Sequence, residues 1–81
     1  MNHDEIPLTQ LRPGTSCTVR SIAEKSEQTD RLREMGLIER THISVLKSDR
    51  DGVIICLKGA RLALSYSIAE KITVRTLAVR L

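Results

Sequence analysis

Lys58 and Gly59 are all that separates two apolar runs, residues 53–57 and 60–65. A two-residue connection can only reverse the chain as a tight hairpin, because parallel neighbours need a crossover of a dozen residues or more. The same punctuation recurs elsewhere. Ser48-Asp49-Arg50-Asp51-Gly52 is a polar loop ending in Asp-Gly, a hairpin signal. Arg12-Pro13-Gly14-Thr15 puts a residue with fixed φ before one that accepts positive φ, which is turn chemistry. Short apolar runs between such turns read as antiparallel strands.

Five strands are predicted on this basis. The first covers 16–23, with Cys17 and Val19 on one face; Ile22 falls out of that alternation, so a bulge near Ser21 is expected to return it to the core side. The second covers 41–47, with Ile43 and Val45 inward. The third, 53–57, is apolar at every position and suits a strand covered on both faces. The fourth, 60–65, sets Leu62 and Leu64 on one face and Arg61 on the other. The fifth covers 72–75.

Helical segments fill the gaps. Leu8 and Leu11 anchor one turn. Residues 26–35 form a short helix with Ser26 or Thr29 as N-cap. Gly36 then ends it in the left-handed region, with Leu37 packing back on Leu32 as in a Schellman cap. Residues 67–71 make one turn capped by Ser67, with Ile68 and Ile72 facing the core. Residues 1–7 read as a disordered tail, 8–75 as the domain and 76–81 as a C-terminal extension. The predicted fold is mainly β: a small SH3-like barrel of about five strands, with a short helix between strands 1 and 2 and one helical turn before the last. An OB-like barrel places its main helix between strands 3 and 4, where Lys58-Gly59 leaves no room.

Size and composition narrow the function. At 81 residues the chain makes one domain, with little core to spare for a catalytic pocket. Its core is aliphatic: there is no Trp or Phe, and Tyr66 is the only aromatic. The aromatic platform used by barrels that bind single-stranded nucleic acid is therefore missing. A net charge of +3, spread over scattered arginines, steers weakly toward acidic partners and lacks the basic stripe of a nucleic-acid binder. No apolar run approaches the roughly 18–20 residues that span a bilayer, and the N-terminal segment has no signal-like apolar stretch. A cytoplasmic location is expected.

Chemical motifs are absent. Nothing matches a nucleophile elbow, a His-Glu-x-x-His helix or a phosphate loop. Cys17 and Cys56 sit in strand-like runs and read as small buried hydrophobes in a reducing compartment. His3, Asp4 and Glu5 read as a solvated tail, Asp49 and Asp51 as a hairpin loop, and His42 as a strand residue. No catalytic residue, metal site or cofactor is expected.

Three stretches carry a family resemblance. Arg31-Leu32-Arg33-Glu34-Met35-Gly36-Leu37 resembles an "RL-x-x-MGL" helix end, Gly59-Ala60-Arg61-Leu62-Ala63-Leu64 a "G-x-x-x-AL" hairpin, and Ala69-Glu70-Lys71-Ile72-Thr73-Val74 an "A-x-x-I-x-V" ending. Their order and spacing over residues 8–74 are similar to the ferrous iron transport protein A (FeoA) family. Two positions depart from its pattern. Glu39-Arg40 stands where the family has Pro-Gly, and Tyr66 where it often has a charged residue.

The resemblance implies an SH3-like accessory or regulator beside the ferrous iron permease, a membrane protein with a cytoplasmic GTP-binding domain. Membrane association would then be indirect, through the permease. The alternative is a general interaction module of the kind found at the C-terminus of iron-dependent repressors, or a weak nucleic-acid binder. Leu37 and Ile38 are adjacent apolar residues that can hardly both face one core. The expected partner surface is therefore Gly36, Leu37, Ile38 and Arg40, with Leu62, Leu64 and Tyr66 nearby. Arg31, Arg33 and Arg40 would add steering. Weak self-association is expected through the 53–57 run or the C-terminal edge.

Overall fold

The computed structural model describes residues 5–76. Apolar–polar alternation folds into six antiparallel strands: β1 (Glu5–Pro7), β2 (Ser16–Ile22), β3 (His42–Asp49), β4 (Gly52–Leu57), β5 (Ala60–Leu64) and β6 (Ile72–Thr76). Their order in the sheet is β1-β6-β2-β3-β4-β5. A 3-10 turn at Leu8–Gln10 follows β1, helix α1 (Glu27–Glu34) joins β2 to β3, and the short helix α2 (Tyr66–Ala69) precedes β6. The architecture is the expected small barrel, with the helical segments where they were predicted.

The core is aliphatic and continuous. Inward positions of the strands bring Val19, Ile43, Val45, Val53, Ile55, Leu64, Ile72 and Val74 together, and Leu8, Leu32, Leu37 and Ile68 close the ends. Two bulges let the sheet curl. One falls between Val19 and Ser21. It leaves Arg20 unpaired and returns Ile22 to pack against the core, as the broken alternation requires. The other lies between Val45 and Lys47. The extra residue there, Leu46, is turned outward and exposed.

Several expectations are corrected. Residues 5–7 are not tail. Ile6 pairs with Val74 and Glu5 with Arg75, because β6 has a free edge and Ile6 an apolar side chain to lay on the core. His3 and Asp4, and the extension beyond Thr76, lie outside the described residues. β4 is buried on one face only; Ile54 and Cys56 are half-buried on the other. It also lies between β3 and β5, so it has no edge to offer a second copy. β6 likewise lies between β1 and β2. The cap of α2 is Ser65, whose Oγ accepts from the Ile68 N–H at 3.3 Å, rather than Ser67. The 48–52 loop turns on Arg50-Asp51, with Asp49 paired to Gly52 and Asp49 Oδ1 accepting from the Asp51 N–H at 2.8 Å.

Candidate functional site

The end of α1 sets the site. Ser26 caps the helix: its Oγ accepts from the Thr29 N–H at 3.2 Å, while Thr29 Oγ1 accepts from the Ser26 N–H at 2.8 Å. Thr29 thus takes the place usually held by Glu or Gln in a capping box. At the other end Gly36 has φ +104°. Leu37 N–H donates to the Leu32 carbonyl and Gly36 N–H to the Arg33 carbonyl, both at 3.0 Å, the paired bonds of a Schellman cap. This cap drives Leu37 fully into the core and leaves Met35 and Ile38 outside, 49% and 51% exposed.

Only Thr29 and Leu32 of α1 are buried. The helix therefore stands off the barrel and leaves a groove of about 630 Å³ between itself, β5 and α2. Leu32, Leu62, Leu64 and Ile68 form an apolar floor; Glu27, Arg31 and Met35 line the helical rim. Lys58, in the turn before β5, carries its ammonium close to Gly36, so the start of β5 lies against the end of α1.

The predicted partner residues are only partly brought together. Leu62 and Leu64 line the groove, with Leu64 buried and Leu62 half-buried. Leu37 is core and presents no surface. Ile38 lies in a separate hollow of about 300 Å³ with Ile22, Arg33 and Glu39. Arg40 lines a third, with Arg20 and Arg75. Tyr66 opens α2 and is 42% exposed, outside the groove's lining. Residues missed in the sequence include Met35, Ile68 and Glu27, whereas Arg31 of the rim was expected to steer; Met35 reads as part of the cap until the helix is seen to stand clear of the sheet.

A charged cluster was also missed. Glu5 accepts from Arg75 Nη2 at 2.9 Å and from Arg20 Nε at 3.0 Å, and Arg20 Nη1 donates to Glu39 at 2.6 Å. The β2 bulge aims Arg20 between the two carboxylates. Arg75, and then Arg20, hold the Glu5 carboxyl below its ordinary value. Burial alone pushes the Cys17 thiol up to about 11, so it stays protonated and is no nucleophile. Among the described residues, no three His, Cys, Asp or Glu side chains converge to hold a metal ion, and no helix is long and apolar enough to cross a membrane.

The arrangement is an open apolar groove with a charged helical rim. The FeoA domain family pattern matches residues 6–76. A crystal structure of an iron uptake regulatory protein (FeoA) superposes with a TM-score of 0.81 at 32% identity, covering 90% of this chain and 99% of that one. A solution structure of the FeoA protein from Chlorobium tepidum gives 0.81 at 28% identity, covering 90% and 71%. A manganese-dependent transcriptional repressor shares the fold alone, at a TM-score of 0.78 and 22% identity over 90% of this chain and 42% of that one. Among curated protein sequences none matches. The match over residues 6–76, nearly the whole domain, shows that the chain belongs to the FeoA domain family.

Proposed function

We propose that the protein is a cytoplasmic accessory of ferrous iron uptake that binds the cytoplasmic region of the GTP-dependent permease and thereby influences its activity or assembly. The observation that carries this reading is the open apolar groove between α1 and β5 on a domain of this family. Met35 at its rim is half exposed. A half-exposed Met beside a half-buried Leu62 gives a partner apolar area to cover, worth roughly 25 cal/mol per Å² removed from water. Association with the membrane is then indirect, through the permease.

The test is capture of the permease's cytoplasmic domain by the purified protein, with and without guanine nucleotide. Met35→Asp is expected to weaken capture about tenfold, since a carboxylate would have to be desolvated in the interface, while the fold stays intact because Met35 is outside the core. Ile38→Asp tests the separate hollow: loss of capture there with Met35→Asp silent would move the docking surface to the α1–β3 loop. Absence of capture by the unaltered protein in every nucleotide state would sink the assignment.

A further inference from the structure

The groove is lined by three consecutive residues of β5, Leu62, Ala63 and Leu64, and by Ser65 at the cap of α2. Successive side chains of a strand point to opposite faces, so a hollow on one face would take Leu62 and Leu64 alone. A hollow that also touches Ala63 runs along the strand's edge. β5 is one of the two outer strands of the sheet. The two-residue turn at Lys58-Gly59 makes Leu57 and Ala60 a hydrogen-bonded pair, and the alternation then makes Leu62 and Leu64 bonded partners of β4. Arg61 and Ala63 turn their N–H and C=O outward, and among the described residues no backbone bond meets them there. The other outer strand is blunted: β1 has three residues and ends on Pro7, a common guard of sheet edges. β5 has five residues and neither proline nor bulge.

We infer that the α1–β5 groove accepts an extended, acidic–apolar peptide segment as an added strand on the free edge of β5. The proposal rests on the reading of this groove as the partner site and names its mode of recognition. From Glu27 to Met35 the helical rim is about 12 Å long, the length of about four residues of strand. Backbone groups of Arg61 and Ala63 supply the ladder, and alternate side chains of the guest enter the apolar floor of Leu32, Leu62 and Ile68. Charge sets the guest's sign. Arg31 lines the groove, Lys58 stands at its Met35 end and Arg61 projects from β5. None of the three has an ion-pair partner among the described residues, whereas Arg20, Arg33, Lys47, Lys71 and Arg75 do. Glu27, at the far end, is the one carboxylate in the lining. A second copy's β5 fits poorly, because its own α1 stands beside the edge it would have to offer.

The probe is a capped hexapeptide of alternating Val and Glu, titrated into the isotopically labelled full chain and read by amide NMR. Its controls are the alternating Val and Lys peptide and an N-methylated copy of the Val and Glu peptide. Shifts confined to β5 and α1 are expected, with exchange of the Arg61 and Ala63 amides slowed about tenfold or more. The Lys peptide and the N-methylated peptide should bind at least about tenfold more weakly. Ala63→Pro removes an outward donor that the β4 ladder does not use, so it should fold normally and lose binding. If that variant fails to fold, the N-methylated peptide on the unaltered protein carries the same test. Unchanged Arg61 and Ala63 exchange at millimolar peptide, equal binding of the N-methylated peptide, or self-pairing of the chain on the same edge each overturns the proposal. Peptide binding without capture of the permease would sink the partner and keep strand addition. Permease capture undiminished in folded Ala63→Pro would do the reverse.

Discussion

Arg40 holds a left-handed backbone, φ +75°. The chain holds this conformation without glycine, the residue that adopts it freely. Its hydrogen bonds explain why: Arg40 N–H donates to the Val19 carbonyl at 2.7 Å, and Val19 N–H to the Thr41 carbonyl at 2.9 Å, so β2 dictates the loop. A side chain at that φ costs roughly 1–2 kcal/mol, offset by the smaller unfolded-state entropy of a non-glycine residue. Arg40→Gly is therefore expected to raise stability by about 0.5–1 kcal/mol, read as a higher urea midpoint at unchanged slope. Gly36→Ala should do the opposite, costing about 1 kcal/mol: the nearest atoms to the added Cβ belong to the flexible Lys58 side chain, so only the backbone strain counts. Gly52→Ala should cost more, because its Cβ would run into the Leu64 carbonyl oxygen. Cys17, with its thiol raised to about 11 and fully buried, should resist alkylation at neutral pH while half-buried Cys56 reacts first; mass mapping after a short pulse checks this.

Single elements depend on a few polar contacts. β1 is three residues long, too short to hold by its ladder alone, and Glu5 ties it to Arg20 of β2 and Arg75 of β6. A carboxyl whose pKa falls on folding contributes stability above its ordinary value, here 4.5. That contribution is lost as pH drops through the lower folded value. Amide protection of Ile6 is thus expected to fall below pH 4.5, with high salt acting the same way. Glu5→Gln should abolish the pH dependence. β1 escaped the sequence reading because three residues ending in Pro carry no periodicity; its partner strand is nearly seventy positions away. The capping Ser65 was misplaced for a related reason. Ser65 and Ser67 are equally good caps by type, and only the path of β5 into α2 decides between them. Ser65→Ala is expected to cost about 1 kcal/mol, seen as a lower melting temperature, and Ser67→Ala far less.

For the whole molecule, β6 is the junction. It pairs with β1 and β2 and carries Ile72 and Val74 fully buried at the centre of the core. Ile72→Ala should cost about 2–5 kcal/mol, enough to threaten a domain of this size; equilibrium denaturation measures it. The groove was legible only in part. Leu62 and Leu64 were named and do line the groove, yet Leu37 is interior, and Ile38, Arg40 and Tyr66 face elsewhere.

What the sequence determined by itself is local: turns from Gly and Pro chemistry, strand faces from period-two alternation, the Schellman end of α1 from Leu32, Gly36 and Leu37, and the family from their order. These depend on neighbours within a few residues, whose conformational preferences are written in side-chain type. Tertiary structure alone decided which strands became edges, that α1 rests on the barrel through Thr29 and Leu32 only, and therefore that a groove opens beside β5. Such gaps arise from how far apart packed elements stand, a distance set by side chains remote in sequence, so no local pattern encodes them.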